Sequence, residues 1–485
     1  MEASEVSRIA SFFGLDKANA DVMSLAKTLT MLLPTFAAIS TLSTTFQMIF
    51  IAEAMGGGSY IQGLTLVGIL VVIQMVVQTV LDYPTGAIGD WVGQRYVIAS
   101  SLICFAISYY FISLVTTSTS FSFLVLIYVM LGFGNSQASG AFDSWFDNNY
   151  RVAVPGDDGR RQYGVFMGKV QMMYQLVATL ALIPGSLAAT VLSRPWVFHI
   201  QAVSFLIMAI IVLRLLKDLP SVRAKDNGQA SLSEYKEVLI SGVRFLFSDN
   251  YITLVIIGGA VLMAGGMVWS NLILFPMYYS YLNTDVAVSS FRTLLFFLGI
   301  LTGERAAAWS KNFEPKKWIP RFAILQSLGF IFYMSFAAIT FFLPPVDGNE
   351  MMTLLLPATN IVLLQLPVAS IIPLALMTLT FTTCGFFSGF YYILRQRELL
   401  DVIPNKIRNS LYSLSPTITV MIAIPQIAFF GWLIPVGGLS ITLALSAFIS
   451  LVGVVMIKRG LDYPKPSADI ETEGEKSELE AVLEA

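Results

Sequence analysis

Asp82-Tyr-Pro-Thr-Gly86-Ala-Ile-Gly-Asp90-Trp-Val-Gly93-Gln-Arg95 lies between two long apolar stretches. Its pattern predicts the end of one membrane helix, a tight glycine turn and the start of the next helix, which carries an Asp and an Arg. Asp90 suits a helix start, where free backbone N–H groups and the positive end of the helix dipole favour a carboxylate.

Working outward, the composition agrees with helices that span a bilayer. Of 485 residues, 56% are hydrophobic and 12% charged, against about 25% charged in a soluble protein. Mean hydropathy is +0.72. A crossing takes about 20 mainly apolar residues, and twelve segments qualify: roughly 28–55, 61–84, 96–116, 120–146, 163–191, 195–216, 250–281, 288–306, 319–343, 370–394, 410–433 and 436–457. Residues 1–27 are polar and amphipathic and lack the apolar core of a cleaved signal peptide, so segment 1 is expected to anchor itself. Cys104 and Cys384 both fall in apolar segments, with no disulfide framework and no metal-ligand spacing. There is no nucleotide-binding glycine loop and a single His, so an enzyme is not indicated and no cofactor is implied. The pI near 5.6 owes much to an acidic tail and suggests no nucleic-acid partner.

Basic residues orient the chain. Of the 29 Lys and Arg, only Arg194 and Arg292 fall on one side when the N-terminus is placed inside. Both termini are therefore expected in the cytoplasm, with an even number of crossings. Residues 351–394 are long enough for two spans, yet the loops before and after them are both basic, at Lys316-Lys317 and Arg395-Arg397. The stretch near 351–368 is thus expected to be an outer excursion or an extension of segment 10.

The two halves repeat weakly. A shift of 222 residues places Asp82 on Glu304 and Arg95 on Lys317, and a shift of 249 places Ser139-Gly140 on Ser388-Gly389. The difference matches an insertion around 344–370. Residues 217–249 join the halves, with a capping box at Ser231–Glu234 opening an expected amphipathic helix. From 461 the chain reads as a disordered acidic tail.

Repeated six-helix halves around this loop resemble the major facilitator superfamily. That family's loop 2–3 signature reads Gly-x-x-x-Asp-(Arg/Lys)-x-Gly-(x)-(Arg/Lys). Gly86, Asp90, Gly93 and Arg95 fit it, while Trp91 replaces the usual basic residue. The resemblance implies an all-α membrane protein of twelve transmembrane helices in two pseudo-symmetric six-helix bundles, 28–216 and 250–460, with substrate bound between them near the midplane. It also implies a cytoplasmic gate made by Asp90, Arg95 and Asp147 at the end of segment 4, with Gly86 and Gly93 permitting the turn and close helix contact.

Further charges lie inside segments, where each costs about 2.5–3.5 kcal/mol on insertion scales. Asp143 and Lys169 fall at similar depth on segments 4 and 5, and either pair with each other or Lys169 snorkels to the headgroups. Asp82 and Asp143 are candidate proton carriers, and Asp82 alternatively caps helix ends. His199 reads as a hydrogen-bonded interfacial residue. In this family segments 1, 4, 7 and 10 line the cavity. The polar and aromatic residues there include Thr44, Gln47, Asn135, Gln137, Trp269, Asn271, Thr383, Phe387 and Tyr391, with Gln175 added from segment 5. Many could equally pack helix against helix. The set suits an amphipathic, neutral or weakly charged solute, and no basic residue is evident at mid-depth for a strongly anionic one.

These readings lead to a multi-pass plasma-membrane transporter working by alternating access, monomeric, its partners being a small-molecule substrate, the bilayer and protons as a candidate coupling ion. Export is the favoured direction. A proton symporter or uniporter for a neutral nutrient is the alternative within transport. A non-transporting sensor or scaffold with the same fold is the alternative outside it. Tyr128 stands where proton-coupled members often carry Arg on segment 4, and Pro184-Gly185 reverses the antiporter order.

Overall fold

A computed structural model of the protein describes residues 20–154, 161–219, 244–346, 350–355, 362–400 and 408–466, with isolated positions besides. The expected linker helix near 231–247 and the acidic tail lie almost wholly outside the described residues. Where no water can take backbone hydrogen bonds, an apolar chain must satisfy them within itself, and helices do so.

Segment 1 is α1 (Ala20–Thr41) followed by α2 (Gln47–Met55). Segments 2 and 3 are α3 (Tyr60–Val92) and α4 (Gln94–Ser113). Segment 4 is α5 (Phe121–Ala138) and α6 (Ala141–Ala153). Segments 5 and 6 are α7 (Arg161–Val191) and α8 (Arg194–Leu215). Segment 7 runs through α9 (Asn250–Val268), a π turn at Trp269–Ile273 and α10 (Leu274–Leu282). Segment 8 is α11 (Asp285–Trp309), and segment 9 is α12 (Pro315–Leu325) with α13 (Phe330–Phe342). A two-stranded sheet, β1 (Met351–Leu355) and β2 (Val362–Pro367), occupies the insertion. Segment 10 is α14 (Ile371–Leu400).

α15 (Arg408–Asp462) holds the last two crossings. Its apolar part, Pro416–Asp462, has 47 residues, about 70 Å of helix, more than twice the roughly 30 Å of hydrocarbon. Gly438, at φ 77° and ψ 171°, breaks it into segments 11 and 12. Twelve crossings result, and the 351–368 stretch is an excursion rather than a span.

The chain forms two compact units. One comprises Met1–Ala230, Leu282–Thr293 and Thr353–Gln365, the other Ser231–Tyr281, Leu294–Met352 and Leu366–Ala485. In the first, Phe36 of α1 interlocks with Phe105 of α4, Phe142 of α6 and Phe205 of α8, with ring centroids 5.8–6.2 Å from its own. In the second, Tyr251, Val255, Phe322, Phe390, Tyr391 and Ile457 share one buried cluster. Within the first unit we call the end bearing Arg95 and Arg151 the inner end, within the second the end bearing Arg397, and in each the opposite end the outer.

The decisive stretch departs from expectation. α3 runs through Gly86 to Val92, so Asp90 lies in its last turn and does not open the next helix. No residue between Pro84 and Val92 forces the backbone out of a helix. The reversal rests on Gly93 alone, at φ 105°, a conformation that L side chains rarely adopt. Gly86 has open space where a Cβ would stand, so it serves neither turn nor close contact. Gly93→Ala should therefore lower stability by about 1–2 kcal/mol, while Gly86→Ala should be neutral or slightly stabilising. Thermal unfolding of the two variants side by side checks this.

Candidate functional site

Segment 1 breaks at residues 42–46, inside the span. A helix end leaves its last carbonyls without intrahelical partners, and Gln201 of α8 meets them. Its Nε2 donates to Ile39 O at 2.8 Å and Ser40 O at 3.2 Å. Its Oε1 accepts from the Ser43 hydroxyl at 2.7 Å. The Thr45 and Ser186 hydroxyls pair at 3.0 Å, and Thr41 donates to Ala178 O at 3.0 Å. Gln201, Ser43 and Thr45 are buried, so these groups close the break rather than face a solute. Thr44, in the break, donates back to Ser40 O at 3.4 Å, and Gln47 accepts from the Tyr109 hydroxyl at 3.3 Å. Gln201→Leu keeps the volume but strands the buried Ser43 hydroxyl and leaves the Ile39 and Ser40 carbonyls with only long bonds, and should cost about 1–3 kcal/mol in thermal or denaturant unfolding.

Segment 4 also breaks. Ser139 ends α5, and Gly140, left-handed at φ 69°, starts α6. The break sets the place of Asp143, which the sequence puts inside segment 4. It is an exposed acid in the first turn of α6, where the helix dipole favours it. Among the described residues no ion pair joins Asp143 to Lys169. Asp82, exposed on α3, lies beside Ser139 at the break. Close by, Thr85 donates to Ser136 O at 3.0 Å. Gln137, 6% exposed, has its Oε1 buried with no hydrogen-bond partner. Asn135 is half-buried on the same helix, and Gln175 is exposed on α7.

Among the described residues, no ion pair joins Arg95 to Asp147. Arg95 donates to the Tyr96 hydroxyl and lies over that ring at 4.4 Å. Asp147 pairs with Arg151 at 2.8 Å, one helical turn away. The Asp90 side chain lies outside those described.

In the second unit the π turn falls on Trp269–Ile273, two of whose members were expected to line the cavity. Asn271 is half-buried and donates to Met267 O at 2.8 Å. Trp269 instead packs among Phe332, Tyr333 and Phe336, with centroids 5.0–6.1 Å away. Tyr391 is likewise buried in the core cluster. Large rings on inward helix faces bury more apolar area than a wet cavity allows, so both pack as core. Phe387 stacks on Phe322 at 6.0 Å, and Thr383 is exposed.

At the outer end, sequence reasoning used Arg194 only to orient the chain. In the structure it joins three segments. Nε and Nη2 donate to both oxygens of Asp285 at 2.8 and 2.9 Å, and Nη1 donates to Glu53 at 2.7 Å. Its side chain is 16% exposed and that of Asp285 10%. Thr293 further down α11 donates to Thr179 O at 3.3 Å. The first turns of segment 8 are thus held on the first unit. His199 is hydrogen-bonded, with Nδ1 3.0 Å from Pro195 O.

Comparison with known proteins follows the same lines. The Major Facilitator Superfamily model matches residues 28–360. No curated protein matches in sequence. Among solved structures, the nucleoside transporter NupG superposes with a TM-score of 0.60 at 12% identity, covering 92% of this chain and 100% of its own. A D-xylose-proton symporter gives 0.56 at 15% identity, covering 92% and 98%. A partially occluded inward-open form of the xylose transporter XylE from E. coli gives 0.58 at 11%, covering 92% and 99%. At these identities the superpositions show a shared fold, whereas the family model spans well over half of the sequence. With its twelve crossings and its loop 2–3 signature, the chain belongs to the Major Facilitator Superfamily.

Proposed function

We propose that this protein is a secondary transporter that moves a small amphipathic organic solute, neutral or weakly charged, by alternating access. The carrying observation is the break of segment 4 at Ser139-Gly140, which brings Asp82 beside Ser139 on the same helix as a buried, unpartnered Gln137 oxygen. Irregular backbone at membrane depth persists where protein or a watered cavity satisfies it, and discontinuous helices carry the solute sites of many secondary transporters. Segment 1 has its break closed by Gln201, whereas segment 4 keeps an acceptor available for a solute donor. Asp82 and Asp143, both exposed at this break, are the groups proposed to exchange a proton. Arg95, which donates to Tyr96, and Asp147, which pairs with Arg151, are proposed to meet in another state of the cycle.

Ligand-induced thermal stabilisation tests the reading, because a ligand that binds only the folded state must raise the melting temperature. Nucleosides and sugars come first, the classes named for the structural neighbours, followed by amino acids, lipophilic cations and lysolipids at pH 5.5 and 7.5. A stabilising solute whose effect weakens in Gln137→Leu supports the site. A pH dependence that disappears in Asp82→Asn supports proton coupling. Silence across the panel from folded protein favours the scaffold reading.

A further inference from the structure

Arg395 ends a run of 44 residues that contains no charge, from Met351 to Leu394. It stands on α14, five residues before the helix ends at Leu400. Its charged neighbours are occupied. Arg397 donates to Ser310 O at 3.4 Å. Glu398 accepts from the Tyr251 hydroxyl and pairs with Lys465 at 3.3 Å. Arg395 itself has no ion pair or hydrogen bond among the described residues, and its Nε is buried without an acceptor.

The guanidinium has a shaped seat. It lies across α9 against Gly259, where a Cβ would fall 2.2 Å from Nη2 and 2.5 Å from Cζ. Gly259 is about 14 Å along α9 from its inner end. Tyr391 and Tyr392 precede Arg395 by four and three residues, on the same helix face. The Tyr391 hydroxyl is also buried without a partner, and the Tyr392 hydroxyl donates to the Met263 sulfur at 3.3 Å, one turn beyond Gly259 on α9.

A half-buried cation with no counter-charge is costly unless a ligand supplies one. A guanidinium presents a planar fork that takes two oxygens of one carboxylate or phosphate. We propose that Arg395, seated on Gly259 and flanked by Tyr391 and Tyr392, is a recognition site for a single carboxylate or phosphate group attached to an apolar body. This rests on the transport reading and deepens it by giving the amphipathic solute one anionic end. An anionic phospholipid headgroup offers the same chemistry from the inner leaflet.

The test is thermal unfolding of the whole protein in an uncharged detergent. Phenylbutyrate and phenyl phosphate are compared with neutral phenylbutyramide. In a second arm, dihexanoyl phosphatidylglycerol is compared with dihexanoyl phosphatidylcholine. The anionic member of at least one arm should stabilise the wild type more strongly, and Arg395→Gln should weaken its apparent affinity at least tenfold. Gly259→Ala keeps the charge but displaces the guanidinium, so it should weaken the same ligand and carries the test if Arg395→Gln fails to fold. A preference in the soluble arm assigns the site to a solute, and one confined to phosphatidylglycerol assigns it to lipid. Equal response to charged and neutral probes in both arms overturns the proposal, as does a preference that survives both variants. Stabilisation by neutral solutes alone would leave the transport reading standing and remove this site.

Discussion

Arg194→Ala is expected to destabilise the protein by about 2–3 kcal/mol and to free the outer start of segment 8. Removing one partner of a buried ion pair costs about 3–5 kcal/mol, because the other charge is left desolvated. Here two carboxylates are left, Asp285 at 10% side-chain exposure and Glu53 at 31%. Water reaching Glu53 screens part of the repulsion, which sets the figure below the fully buried case. Arg194→Lys should recover only part of the loss, since an ammonium cannot reproduce the two-point contact with Asp285 together with the bond to Glu53. Adding Glu53→Gln and Asp285→Asn to Arg194→Ala should recover stability by removing the orphaned charges. Melting temperatures of the four proteins decide the matter. If the alanine variant melts with the wild type, the cluster is incidental.

Gly185→Ala is expected to be as damaging, through sterics. A Cβ at Gly185 would lie 1.9 Å from Leu42 O and 2.7 Å from its carbonyl carbon. Those are backbone atoms at the break of segment 1, so no rotamer change relieves the clash. Overpacking typically costs about 1–3 kcal/mol, and the upper end applies because α7 must move. That shift also pulls Ser186 from Thr45, a buried pair at 3.0 Å. Gly168, on the same helix with open space around its missing Cβ, provides the control. Gly168→Ala should gain slightly from helix propensity. Equal melting temperatures for the two variants would contradict the close approach of α7 to the break.

Much of the fold was legible because its signals are local. Segment lengths follow from the thickness of the bilayer, and the basic loops fixed the parity that excluded a span at 351–368. Gly93 could be read as a turn because only glycine suits its backbone. The neighbouring Asp90 was misplaced because an Asp before a glycine reads equally as a cap or as the end of the preceding helix, and the register of that helix is set by tertiary contacts. The breaks were not legible. Nothing in Leu42–Phe46 forces a turn without Gln201, 158 residues from Ser43. The π turn at Trp269 has no sequence signature. Arg194 and Asp285, 91 residues apart, become partners only in the folded chain. Trp269 and Tyr391 illustrate the opposite error. An aromatic ring on a cavity-lining helix has a face toward the cavity and a face toward the core, and the hydrophobic periodicity of an all-apolar segment does not distinguish them.

Alternating access is the central claim, and distances between spin labels test it most directly. With buried Cys104 and Cys384 replaced by alanine, labels at exposed Ser118 and Pro345 report the outer end, and labels at exposed Asn148 and Gln396 report the inner end. The account predicts two distances for each pair, with a stabilising solute shifting the outer and inner populations in opposite senses. A single distance for each pair, unchanged by any stabilising solute, would contradict it.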